Sequence, residues 1–73
     1  MATKHDSECL LKAGDDEPIF VIRAHDLCGP TAVRRWAIEA SNAGAPLSKI
    51  QNAYAIADDM EAWQRANGSK VPD

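Results

Sequence analysis

Four residues of this 73-residue chain are soft or borderline metal ligands: His5, Cys9, His25 and Cys28. They read H-x3-C and, after a gap, H-x2-C. Four such ligands can close a tetrahedral zinc site, and a small domain would gain stability from one. The spacing follows no zinc module in order, however, and His5 falls in a polar, unpatterned stretch. The plainer reading is two unrelated thiols and two surface or capping histidines, so neither a metal nor any other cofactor is expected. His25 and Cys28 also stand three apart, a separation at which a base can meet a nucleophile on a first helical turn. Nothing nearby supplies an oxyanion hole or a cleft. Cys28 therefore reads as a small buried hydrophobe, and no enzymatic activity is expected. The pairs Asp15-Asp16 and Asp58-Asp59 read as solvated faces, and Gly29-Pro30 as a turn rather than a phosphate loop.

The remaining candidates are cationic: Arg23, His25, Arg34 and Arg35, which form the expected ligand-binding set. Arg23 follows an apolar run, and a helix beginning shortly after it would offer free amides, a setting that favours anions. An arginine fork there could grip a phosphate or carboxylate with two bonds. Arg34 and Arg35 point in different directions on that helix, so at most one of them joins Arg23. The competing reading leaves both solvated, with Arg35 paired to Glu39 at i,i+4. Eight Lys and Arg against eleven Asp and Glu give a net charge of −3, which argues against a DNA-binding role. Local positive potential can still exist within a negative total.

The elements that position these residues are few. Chains this short support one modest core, near the limit of independent stability. Residues 1–7 and 69–73 read as loose termini of a single domain. Glu8-Cys9-Leu10-Leu11-Lys12 is a short apolar phrase, open between strand and helix. Ala13 to Pro18 is turn material. Ile19 to Ala24, rich in β-branched and aromatic residues, is the expected strand. Asp26 is the expected N-cap of a helix from about Leu27 to Asn42, with Val33, Trp36, Ala37 and Ala40 as its buried stripe and Trp36 as the anchor of the core. Ala43-Gly44 and Pro46 break the chain. A second helix follows to about Ala66, with Ile50, Ala53, Ala57 and Met60 buried and Leu47, Tyr54, Ile56 and Trp63 widening the face. Glu61 and Arg65 suit an i,i+4 pair. The fold class expected is thus α+β, mainly α: one strand or short hairpin before an antiparallel helix hairpin.

A lone strand leaves its backbone unpaired, so it should pair either with residues 8–12 or with a second copy of the chain. A homo-oligomer is expected on that ground. No export signal or membrane span is visible, and the cytoplasm is the expected location.

The phrase Glu17-Pro18-Ile19-Phe20-Val21-Ile22-Arg23-Ala24, then Asp26, Pro30, Val33-Arg34 and Trp36-Ala37, is similar to a group of short uncharacterised proteins of bacteria and their phages. The likeness continues through Ala43-Gly44, Pro46, Lys49-Ile50 and Ala57-Asp58 to Met60-Glu61-Ala62-Trp63. The resemblance implies a compact accessory protein, phage-encoded and working in the host cytoplasm, in a setting where such proteins block host defence. Two functions follow as expectations. In the first, a homo-oligomer binds or sequesters an anionic small molecule such as a nucleotide signal. In the second, the chain is a protein–protein inhibitor or adaptor that docks on a host protein through an aromatic and acidic face near Asp58, Asp59, Glu61 and Trp63.

Overall fold

The chain breaks at the two places where its residues cannot continue a helix, and the parts between pack against each other. The computed structural model describes residues 12–72. Helix α1 spans Gly29–Asn42 and helix α2 spans Leu47–Asn67, and the two form a hairpin. Pro30 sits in the first turn of α1, where a missing N–H costs nothing. At its other end the Gly44 amide donates to the Ser41 carbonyl and the Ala45 amide to the Ala40 carbonyl, the paired bonds of a Schellman stop. Pro46 then precedes α2 as its cap.

The core between the helices is made of small residues. Ala37 and Ala57 are fully buried, Ala53 and Ile50 nearly so, with Val33, Ala40 and Ala45 packed at the edge. Facing alanines favour close packing of the two helices, within the usual separation of about 8–10 Å. The expectation of Trp36 as the core anchor is corrected, because Trp36 is 54% exposed. It lies one residue from Ala37, a little over a quarter-turn round the helix, and an indole cannot enter a seam cut for methyl groups. Of the expected α2 face, Met60 and Ile56 are half-buried, while Leu47, Tyr54 and Trp63 remain largely exposed.

The expected strand is absent over residues 19–24, and the described residues form a helical hairpin with no strand rather than the expected α+β fold. Residues 18–22 make no backbone hydrogen bond with any described residue. A β-rich composition forms a strand only against a neighbour that pairs with it. One of the two expected partners is Glu8 to Lys12, of which residues 8–11 lie outside the described residues. The expectation of a homo-oligomer built through a strand loses its basis with the strand. The sole β-type contact among the described residues is a single parallel bridge between Asp26 and Lys70.

Asp26 is not the N-cap of α1. That position is Cys28, with no side-chain cap. The Asp26 carboxylate turns back instead and accepts the Arg23 amide at 3.3 Å, while the Asp26 amide donates to the Arg23 carbonyl at 3.0 Å. This closed turn abuts the start of α1 at Gly29, where a Cβ would stand 3.0 Å from the Arg23 carbonyl oxygen and 3.4 Å from the Ile22 side chain. Glycine allows that approach without crowding, whereas a Cβ would need its neighbours to give by a few tenths of an ångström. Among the described residues, no helix is long and apolar enough to cross a membrane.

Candidate functional site

The 23–27 segment is held in place by α2 and by the chain beyond it. Gln64, on α2, donates its side-chain amide to two carbonyls of the segment, Ala24 at 2.9 Å and Asp26 at 2.8 Å. Gly68 ends α2 with φ of +86°, a conformation glycine adopts freely, and the chain reverses there. Lys70 then pairs with the segment through its backbone: its amide donates to the His25 carbonyl and its carbonyl accepts the Leu27 amide, both at 2.9 Å. Residue 70, expected in a loose terminus, is thereby tied to the body of the fold. The His25 ring meets Trp63 edge to face, with centroids 5.9 Å apart.

These attachments build an open cleft of about 250 Å³ lined by Arg23, His25, Asp26, Lys70, Val71 and Pro72. Two of the four expected ligand-binding residues, Arg23 and His25, are thus brought together. The other two are elsewhere. Arg34 reaches across the hairpin to α2, donating to Asp58 at 2.8 Å and also pairing with Glu61. Hydrogen bonds to Asp58 and then Glu61 raise the Arg34 pKa above its ordinary value. Arg35 pairs with Glu39 at 2.7 Å, one turn along α1. Glu61 is therefore engaged by Arg34 and not by Arg65.

Arg34 also divides the face expected to dock on a host protein. Asp58 and Glu61 lie on its side of the hairpin, whereas Trp63 meets His25 edge to face. Of the expected zinc set, His5 and Cys9 lie outside the described residues. Among the described residues no three His, Cys, Asp or Glu side chains cluster as a metal site. Cys28 is exposed rather than buried, and no hydrogen bond joins it to His25. Lys70 and Gln64 are the residues the sequence reading missed. Gln64 does carry a signal, because it falls seven after Ala57 and four after Met60, a polar residue on the buried stripe.

A second feature stands outside the cleft. Ile19, Phe20 and Val21 are exposed by 54%, 87% and 64%. Before them, Asp15, Asp16 and Glu17 are all exposed in a turn closed by the Glu17 amide on the Gly14 carbonyl and by the Gly14 amide on the Glu17 carboxylate. After them, Ile22 is half-buried against Gly29. No family model, curated protein or solved structure matches this chain.

Proposed function

We propose that this chain is a non-enzymatic binding module that docks residues 15–21 into an apolar, basic-rimmed groove of another protein. The observation that carries this reading is the exposure of Ile19, Phe20 and Val21 between an acidic turn and the half-buried Ile22. Three consecutive large apolar side chains in water are costly, by about 1.5–3 kcal/mol each relative to full burial. A partner groove recovers that energy. Ile22, set against Gly29, anchors the segment at one end, which lowers the ordering entropy that opposes binding. The adjacent acids select a groove with Lys or Arg at its rim. In the setting of the phage and bacterial accessory proteins that the chain resembles, such a module acts as an inhibitor or adaptor on a host protein. This is the second of the two functions expected from sequence, moved to a different surface.

The test places a photocrosslinking p-benzoylphenylalanine at Phe20 and, as a control, at exposed Gln51 on α2, in the full chain in its native cells. A defined adduct at position 20 and none at 51 is expected. Its partner, once purified, should bind the wild type, bind Phe20→Ser at least about tenfold more weakly, and weaken again with the triple Asp15, Asp16, Glu17→Lys variant. An adduct of twice the chain mass, or the same adduct from both positions, refutes the reading.

A further inference from the structure

The exposed segment has main-chain groups to offer as well as side chains. From Glu17 to Arg23 the chain runs without helix, turn or bend, and no residue in that run has a positive φ. The amides of Ile19, Phe20, Val21 and Ile22 and the carbonyls of residues 18–22 make no hydrogen bond among the described residues. Bonding resumes on both sides of the run. The Glu17 amide donates to the Gly14 carbonyl, Arg23 meets Asp26 through both its amide and its carbonyl, and the Ala24 carbonyl accepts Gln64. A row of open main-chain groups is thus bounded by two stretches in which they are used. Ile22 belongs to the row even though its side chain is half-buried beside Gly29.

Water can satisfy these groups while the segment is exposed. Once Ile19, Phe20 and Val21 enter an apolar groove that water is gone, and an amide or carbonyl left unpaired there opposes docking. The groove must therefore supply main-chain partners along with its apolar wall. A groove between helices cannot, because helical amides and carbonyls bond within their own helix. The edge of a sheet can, since it presents a row of unpaired N–H and C=O groups. The β-branched and aromatic residues of the run suit that pleated surface. Two copies pairing only with each other would form a two-stranded ribbon, which is marginal in water, so the edge belongs to a sheet that already exists.

We infer that the partner docked by residues 15–21 presents the open edge of a β-sheet, to which residues 18–22 add as a strand. The inference rests on the docking proposed above and names the kind of surface that receives it. In an added strand the main-chain groups of successive residues point to opposite edges. Phe20 and Ile22 therefore bond on one edge, Ile19 and Val21 on the other, and only one edge meets the partner.

The experiment uses the full chain with the amide of Ile19, Phe20, Val21 or Ile22 replaced by an ester, one position at a time. Each is titrated with the purified protein that crosslinks at position 20. An ester removes one N–H and keeps the side chain. The esters of one edge, either 19 and 21 or 20 and 22, should each weaken binding about two- to tenfold, and the other two by less than about twofold. Retained NMR dispersion shows that each chain is folded. Loss from all four esters alike, or from none, overturns the added strand; if Phe20→Ser still weakens binding, the docking itself stands. If Phe20→Ser binds as the wild type does, or no adduct forms at position 20, the docking fails and this inference fails with it.

Discussion

Gln64 is the residue whose removal should do most damage for its size. Its amide nitrogen holds two carbonyls of the 23–27 segment at 2.9 and 2.8 Å from a half-buried position. A neutral hydrogen bond of this kind contributes about 0.5–1.5 kcal/mol net. Loss of both in Gln64→Ala should therefore cost about 1–3 kcal/mol, towards the low end because water can reach the freed carbonyls. For a domain of this length each kcal/mol moves the melting temperature by about 4–8 °C. Gln64→Glu is the sharper test, since it keeps the volume and reverses the polarity. Its carboxylate would face two carbonyl oxygens, and only the protonated acid can donate, so the neutral form is favoured in the fold. The folded-state pKa of that carboxyl is then raised. The deficit against wild type is full above that pKa and shrinks as the pH falls through it. Thermal melts of the three proteins across pH should rank wild type above Gln64→Ala and Gln64→Ala above Gln64→Glu at neutral pH, with the last two converging in acid. Hydrogen exchange at the Leu27 and Lys70 amides, which make the bridge, should accelerate in both variants. If Gln64→Glu melts like the wild type at neutral pH, or if those amides keep their protection, the side chain is not what holds the segment.

Gly29→Ala should destabilise the fold by up to about 1–3 kcal/mol, less the roughly 1 kcal/mol that alanine's helix preference returns, because its Cβ would stand 3.0 Å from the Arg23 carbonyl; a variant that melts above wild type would refute the crowding. Trp36→Ala, at a site more than half exposed, should cost under about 1 kcal/mol in a denaturant titration, well below the roughly 3–5 kcal/mol of a buried tryptophan. Arg34→Met should lower the melting temperature in dilute buffer and by less in about 1 M salt, where exposed pairs are screened. A deficit independent of salt would mean that the Asp58 and Glu61 pairs are not its cause. The raised Arg34 pKa contributes stability that is present below the ordinary arginine value and lost only above it.

The helices were legible because their ends are local chemistry. Gly44 with Pro46, and Asn67 with Gly68, stop or start a helix whatever surrounds them, and the alanine stripes face each other as their spacing requires. What failed were expectations that needed a neighbour the sequence does not display. Ile19 to Ala24 has the composition of a strand, but that composition measures fit to a pleated, partly buried surface, and none of the described residues offers one. Trp36 was placed inside by period alone. Yet the alanines that make the hairpin close are the same residues that leave an indole no room, so the two expectations for α1 were incompatible from the start. The cationic cluster divided for a similar reason. Arg34 and Asp58 stand 24 positions apart, and only the register of one helix against the other decides that they meet. Once α2 is set against α1, Gln64 reaches the residue 23–27 segment, that segment receives Lys70, and Arg23 is left facing the cleft without Arg34. A polar residue on an apolar stripe is the one local sign of that whole chain of contacts.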